Sequence, residues 1–166
     1  MAILIGMDAK LYYNSLSLSI ANVASPSWAE AGNVKDVTVN LSAGEIDTTT
    51  RANNGWRQTA PGLKDGSISF DSLYDPDDDF YTLVRNAWLN ETALHIASAY
   101  GPISVSGTEY FEFIMKVTEF EESQALEDAV TASVTLKPTN NNYDTGGANL
   151  APSLKTSAGF TTTTSG

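Results

Sequence analysis

The feature that most constrains the fold is a repeated alternation of apolar and polar residues. In the clearest run, residues 129–137, apolar and hydroxyl side chains occupy alternate positions. A period of two is typical of a β-strand with one buried face. The same period recurs in residues 12–20, 34–41, 66–74, 92–99 and 110–118. Because each stretch keeps one polar face, the pattern predicts antiparallel sheets.

One segment has helical rather than strand spacing. Asp75 is a good N-cap residue and Pro76 suits the first helical position, so we expect a helix over residues 75–90. Its apolar stripe would lie on a sheet and consists of Phe80, Leu83, Val84, Ala87 and Trp88. The predicted fold is mainly β: two packed antiparallel sheets, as a sandwich or partly closed barrel, with one flanking α-helix.

The domain organisation follows from where these periods stop. A chain of 166 residues suits one compact domain, which we place at residues 1–137. Within it, residues 42–63 have no convincing period and predict a long loop. Residues 138–166 form a polar C-terminal arm rich in Thr, Asn, Gly and Ser, which we expect only neighbouring molecules to order.

Composition excludes several classes of function. Nine Lys and Arg against 20 Asp and Glu give a net charge of −11, which argues against gripping nucleic-acid phosphates. The absence of cysteine excludes thiolate chemistry and cysteine-ligated zinc. No apolar run approaches the roughly 20 residues that span a bilayer, and the start lacks the basic region of a signal peptide. No membrane association is therefore expected.

An acidic run, Asp75–Asp79, raises the question of a calcium site. An EF-hand loop starting at Asp75 needs Gly at its sixth position and Glu at its twelfth. Those positions hold Phe80 and Asn86. Helix capping is the favoured interpretation, and no metal or cofactor is predicted.

Catalytic candidates are equally sparse. His95 is the single histidine, lies within a predicted strand and has no evident nucleophile beside it, which favours a structural role. Glu121 and Glu122 could in principle support glycoside chemistry, but they belong to an acidic segment predicted to be a solvated connection between strands. These observations predict that the protein is not an enzyme.

Trp56 is the most conspicuous residue of the predicted loop. It is flanked by Arg51 and Arg57. It could be an aromatic platform for sugars, as in a carbohydrate-binding or adhesion β-sandwich of a virion. Alternatively, it could pack on its own domain or anchor a subunit interface, where Trp and Arg are enriched. The residues alone do not separate the last two.

Parts of the sequence resemble the major tail tube proteins of long-tailed bacteriophages. The most specific stretch is Thr-Arg-Ala-Asn-Asn-Gly-Trp-Arg at residues 50–57, within a segment starting at residue 33. Residues 63–70 and 120–138 carry the rest of the resemblance. It implies hexameric rings that stack into a hollow tube, related to the inner tubes of contractile tails and type VI secretion systems. Genome DNA would pass through the lumen without specific binding.

The resemblance also implies which parts of the chain make contacts. The long loop and chain ends would bridge subunits or rings, and the interface candidates are Glu45, Arg51, Asn53, Trp56 and Arg57. Further expected partners are the tape measure, tail terminator and tail tip proteins. The protein would be made in the host bacterial cytoplasm and reside in the virion tail. Its acidity suggests a lumen that repels DNA.

Overall fold

The structure is a computed structural model that describes residues 3, 5, 6, 9–144 and 146–158. Across this part of the chain there are eight strands and two helices. In chain order they are β1 (Lys10–Asn14), α1 (Ile20–Ala24), β2 (Trp28–Glu30), β3 (Val34–Asp47), β4 (Thr59–Leu73), α2 (Asp79–Asn90), β5 (Ala93–Ala99), β6 (Glu109–Ser123), β7 (Thr131–Pro138) and β8 (Ser153–Thr156). The predicted mainly β class with a flanking helix is confirmed.

The strands belong to one continuous antiparallel sheet. Its order is β2-β1-β5-β6-β7-β4-β3, β8 pairs with β6, and the sheet does not close. The sequence analysis expected two packed sheets. Period-two alternation shows which face of a strand is buried and not which strands share hydrogen bonds, so it could not distinguish the two arrangements.

The main core lies between one face of this sheet and α2. Its buried side chains include Ile68, Phe70, Phe80, Tyr81, Val84, Ile96, Phe113, Met115, Val134 and Leu136. A smaller cluster lies on the other face of β1 and β5 and contains Tyr12, Ala97, Ala99 and Ile103. The sheet therefore buries apolar residues on both faces at its β1–β5 side.

The predicted helix is present, but its start at Asp75 is wrong. The Asp75 carboxylate accepts the Asp77 N–H at 3.0 Å and forms a turn, while Asp78 caps the helix by accepting the Phe80 N–H at 3.1 Å. Asp78 keeps an extended backbone, as an N-cap residue must. Trp88, placed in the apolar stripe by its spacing, is 48% exposed, and Tyr81 is buried instead.

The predicted strand over residues 12–20 is also wrong beyond Asn14. The Asn14 side chain accepts the backbone N–H groups of Leu16 and Ser27 at 3.0 and 3.2 Å. A side chain that takes over backbone hydrogen bonds ends a strand. Ser19 then caps the short helix α1 by accepting the Asn22 N–H at 3.1 Å.

Three further boundaries need correction. Half of residues 42–63, predicted as a long loop, belong to β3 and β4, namely 42–47 and 59–63. Glu121 and Glu122, placed in a connection between strands, lie in β6. The 138–166 arm is not without structure, because Ser153–Thr156 pairs with β6. Residue 145 and residues 159–166 of this arm, like residues 1, 2, 4, 7 and 8 of the predicted domain, lie outside the described residues.

Candidate assembly surfaces

The most prominent surface is a hairpin arm, residues 41–65, formed by the outer parts of β3 and β4. The neighbouring strand β7 pairs with β4 only from Ile68 onward, so the arm continues without a third strand. Every residue from Leu41 to Asp65 is exposed or half-buried. More than half of the surface of four apolar side chains is exposed, those of Leu41, Ile46, Trp56 and Leu63. The arm thus presents apolar surface without burying it in its own domain.

The tip of the arm is held by local hydrogen bonds. Thr48 N–H donates to the Gln58 carbonyl at 3.0 Å, and the Thr49 hydroxyl accepts the Gln58 N–H at 2.9 Å. A 3-10 turn at Arg51–Asn53 is followed by Asn54 and Gly55, both at positive φ, of 52° and 83°. Positive φ suits Asn and Gly, which explains the Asn-Gly pair here. Thr49 also lowers the pKa of Asp47 through its hydrogen bonds.

Four of the five interface candidates meet at this tip. Arg51, Asn53, Trp56 and Arg57 lie there, whereas Glu45 lies lower on the arm, opposite Pro61 in β4. Trp56 is 77% exposed, so it does not pack on its own domain.

Electrostatic contacts within the arm are weak. Arg57 Nε lies 4.0 Å from Asp47 Oδ2, and both side chains are largely exposed. An exposed pair at this separation contributes little, which leaves the Arg57 guanidinium available to a partner.

Two glycines, Gly44 and Gly62, face each other across the hairpin and define what we call the neck of the arm. A Cβ on Gly62 would lie 3.1 Å from the Gly44 carbonyl oxygen, closer than ordinary contacts allow. The strand register shifts between Ala43 and Glu45 at the same place. This close approach and shift set the direction in which the arm leaves the sheet.

The main strand order of the open sheet ends in two edge strands, β2 and β3. β3 is 14 residues long and pairs with β4 alone. An unpaired edge of this length offers a row of backbone donors and acceptors to another chain. Edge strand β3 is therefore a second candidate surface.

A third surface is the polar face of β4, β7 and the second half of β6, on the side away from α2. By strand register the face carries Ser67, Ser69, Thr131, Ser133 and Thr135 together with the charged residues Asp65, Asp71, Lys116, Glu119, Glu121 and Lys137. Four carboxylates against two ammonium groups give this polar face a formal net charge of −2.

Sequence reasoning missed a buried polar row across the sheet. Asn14, His95 and Glu112 are all buried, and Lys155 of β8 forms an ion pair with Glu112. His95 is thus a buried histidine with hydrogen-bonded partners, as its structural interpretation required. Its partners lie 81 and 17 residues away in sequence, so no local spacing could have indicated the row.

The described residues contain neither a cluster of metal-ligating side chains nor a helix able to span a membrane. No group of three or more His, Asp or Glu side chains there is arranged to hold a metal ion. The described helices are too short or too polar to cross a membrane.

The sequence profile of the phage tail tube protein family matches residues 16–140. The chain belongs to this family. Its members are structural subunits of virion tails, which confirms that the protein is not an enzyme and resides in the tail.

Solved structures share the fold. The tail of an empty gene transfer agent particle, refined with C6 symmetry, has a subunit with a TM-score of 0.66 and 13% identity, covering 91% of this chain and 98% of that one. The SPP1 tail tube gives 0.62 and 17%, covering 82% and 76%. An anti-feeding prophage baseplate gives 0.51 and 5%, covering 89% and 90%. No curated protein sequence matches the chain.

Proposed function

We propose that this tail tube protein assembles into hexameric rings, that the rings stack into a hollow tube, and that genome DNA leaves through the lumen. The observation that carries the proposal is the hairpin arm, which extends from the sheet with exposed apolar residues and a hydrogen-bonded tip. The sixfold symmetry is supported by the C6 tail of the gene transfer agent particle, whose subunit has the same fold.

The arm needs a partner on physical grounds. A two-stranded hairpin alone is only marginally stable in water. Covering its exposed apolar side chains lowers the free energy of the system. Docking the tip on a different surface of the next copy is a heterologous contact, which repeats into a ring or a filament. In the proposed contact Trp56 is the apolar anchor, with Arg51 and Arg57 beside it. Asn53 supports the tip, and Glu45 contacts the neighbour from the shaft of the arm.

The open sheet supports the same conclusion. Its long edge strand β3 is paired on one side only, and an assembly that covers this edge removes an aggregation risk. Ring closure is one way to do so.

The lumen is proposed to be lined by the polar face of β4, β7 and β6. Because α2 and the core cover the opposite face, the polar face is the one free to meet water in a channel. Its net charge of −2 per subunit would repel DNA over a screening length of about 10 Å at ordinary salt. Repulsion without binding lets a duplex move.

A tube also needs components that close its ends and set its length. The proposed further partners are the tape measure, tail terminator and tail tip proteins, and synthesis is proposed in the host bacterial cytoplasm before assembly. The net charge of −11 would keep free subunits soluble at that stage.

Electron microscopy of the concentrated protein tests the assembly. Sixfold rings or long tubes are expected. Monomers that persist at every concentration and bind glycans would instead favour the sugar-binding alternative, for which the exposed Trp56 would be the platform.

A further inference from the structure

The buried polar row fixes the protonation state of His95. The Asn14 Oδ1 atom accepts two backbone N–H groups, from Leu16 and Ser27. Its amide nitrogen must therefore donate, and it lies 3.0 Å from the Asn22 carbonyl oxygen and 3.1 Å from His95 Nδ1. Nδ1 thus accepts a hydrogen bond and carries no proton. The remaining proton is on Nε2, which donates to Glu112 Oε1, so the imidazole is neutral.

A neutral His95 leaves Glu112 with Lys155 as its compensating charge. Glu112 is 2% exposed, and its Oε2 atom has no hydrogen bond of regular geometry within the described residues, only the ion pair with Lys155 Nζ. Burial raises the pKa of Glu112, but the hydrogen bond from His95 and the positive charge of Lys155 outweigh burial and lower it. A buried carboxylate that loses its cation is strongly destabilised.

Among the described residues, the groups that can bring positive charge to Glu112 are His95 and Lys155. Tyr110 of β6 is close enough for Glu112 to raise its pKa and Lys155 to lower it, after the larger effect of burial. Trp28 of β2 contributes an uncharged ring 4.6 Å from the His95 ring. Tyr143 lines a cavity of about 430 Å³ together with Asn14 and His95. Such a cavity can hold water, which gives a proton access to the imidazole.

Lys155, the cation that pairs with Glu112, belongs to β8, a strand held by few contacts. β8 is short and pairs with β6 along Glu109–Glu112 only, and its residues Leu154 and Lys155 are exposed. Ser157 adds backbone hydrogen bonds with Thr108 and Gly107 at 2.7 and 2.8 Å. In the preceding linker, residues 139–144 and 146–152 are mostly exposed, so β8 can detach without opening the main core.

We propose that the Glu109–Glu112 edge of β6 is a proton-coupled docking site for the Lys155-bearing strand β8. When β8 is docked, Lys155 neutralises Glu112 and His95 is neutral. When β8 detaches, the His95–Glu112 pair takes up one proton from water, and this proton neutralises the buried charge in place of the ammonium group. Docking releases the proton again. Low pH therefore favours the detached strand and an open β6 edge.

The coupling does not depend on tube formation, although its use does. A released β8 and an open β6 edge would be available for contacts between copies in the proposed tube, and that role rests on the proposed function. The coupling itself is a property of the free subunit and is measured there.

His95 is the only histidine, so its imidazole nitrogen-15 NMR signals are unambiguous. In the wild-type subunit we expect a neutral Nε2–H form. The protection of the residue 153–156 amides against exchange, measured relative to the intrinsic exchange rate at each pH, should fall together with imidazole protonation. Where the pair takes up its proton, the docking equilibrium should change by about tenfold per pH unit.

Matched variants complete the test. Lys155→Met should take up the proton at a pH at which the wild-type pair does not, whereas Lys155→Arg should behave like wild type. Glu112→Gln should make β8 docking independent of pH, and Lys64→Met on the hairpin arm is the control for losing one lysine. A charged His95 in the wild type with β8 docked would overturn the proposal. So would wild-type amide protection of β8, taken relative to the intrinsic exchange rate, that does not change with imidazole protonation, a result that does not require any variant to fold.

Discussion

The Tyr81 hydroxyl donates a 2.7 Å hydrogen bond to Glu122 Oε2 and so ties α2 to the end of β6. The Tyr81 ring is buried and contacts Phe120 at a centroid distance of 5.9 Å, so a phenylalanine would keep the packing. We expect Tyr81→Phe to lower the free energy of unfolding by about 1 kcal/mol, the usual net value of one hydrogen bond. Gln124→Ala is the control, because it removes an exposed hydrogen bond to the same carboxylate. Urea unfolding at neutral pH measures both.

The same pair gives a pH dependence of known sign. Hydrogen bonds from Tyr81, and then from Gln124, lower the pKa of Glu122 below its ordinary value of 4.5. A lowered folded-state pKa stabilises the protein above the unfolded-state pKa, and this stabilisation is lost as pH falls through the folded-state value. The gap between wild type and Tyr81→Phe should therefore narrow in acid. A gap that widens below pH 4.5 would contradict this assignment.

Ser72 carries a hydroxyl that the core does not use. It is 2% exposed, and its Oγ atom has no hydrogen-bond partner in the described part of the chain. Burying an unpaired hydroxyl costs free energy, so Ser72→Ala should leave the protein equally stable or more stable by up to about 1 kcal/mol. Ser133→Ala is the matched control, because Ser133 donates to Asp71 at 2.7 Å. If Ser72→Ala destabilises more than Ser133→Ala in denaturant unfolding, Ser72 has a partner.

The core strands could be predicted from sequence because each buries one face. The alternation in residues 129–137 and 110–118 matches β7 and β6 within a few residues. The arm could not be found in this way, since both faces of residues 42–63 are exposed and no apolar period exists there. A hairpin that is not buried within its own chain has no apolar period, so a rule based on that period predicts a loop.

The candidate site, like the fold, could be predicted from the sequence only in part. Residues 51–57 were singled out by composition and resemblance, and the structure brings them together at the arm tip. The buried polar row from Asn14 to Lys155 could not be predicted from the sequence. Its contacts depend on which strands pair, and local residue spacing does not specify that pairing.

The two neck glycines should respond differently to the same substitution. A Cβ on Gly62 meets Gly44 backbone atoms at 3.1 and 3.2 Å, whereas a Cβ on Gly44 meets the Leu63 backbone at 3.7 Å, an ordinary contact. We expect Gly62→Ala to distort the arm and impair tube formation, and Gly44→Ala to be tolerated. Core stability should change little in either, because the arm contributes no core residue. Electron microscopy and thermal unfolding check the pair, and equal assembly by both variants would show that the close approach is unimportant.

Trp56 should matter for assembly and not for folding. Its side chain is 77% exposed in the free subunit, so Trp56→Ala removes little packing, and the melting temperature should stay within a few degrees of wild type. If Trp56 anchors an interface, its loss should raise the critical concentration for tubes at least tenfold, which corresponds to about 1.4 kcal/mol. Trp88→Ala, on α2 and 48% exposed, is the control. Sedimentation across a concentration series distinguishes them, and similar losses for both would argue against a special role of the arm tip.

The charge of the proposed lumen is tested by reversing it on one face only. Glu119 and Glu121 are exposed on the polar face of β6, so replacing both by Lys changes its net charge from −2 to +2. The control is the same reversal at Asp77 and Glu127, which are exposed near the start of α2 and in the β6–β7 turn. Both double variants have the same total charge, so solubility and long-range effects are matched.

Assembled tubes of the two variants should then differ in how they hold DNA. If the polar face lines the lumen, tubes with Glu119→Lys and Glu121→Lys should retain short duplexes at low salt and release them as salt rises, because cations that grip phosphates displace counterions. Wild-type tubes and the control should retain none. Retention by the control alone would place the polar face on the outside of the tube. Retention by neither would mean that the charge of this face does not govern DNA passage, and the acidity of the chain would then be explained by the solubility of its free subunits.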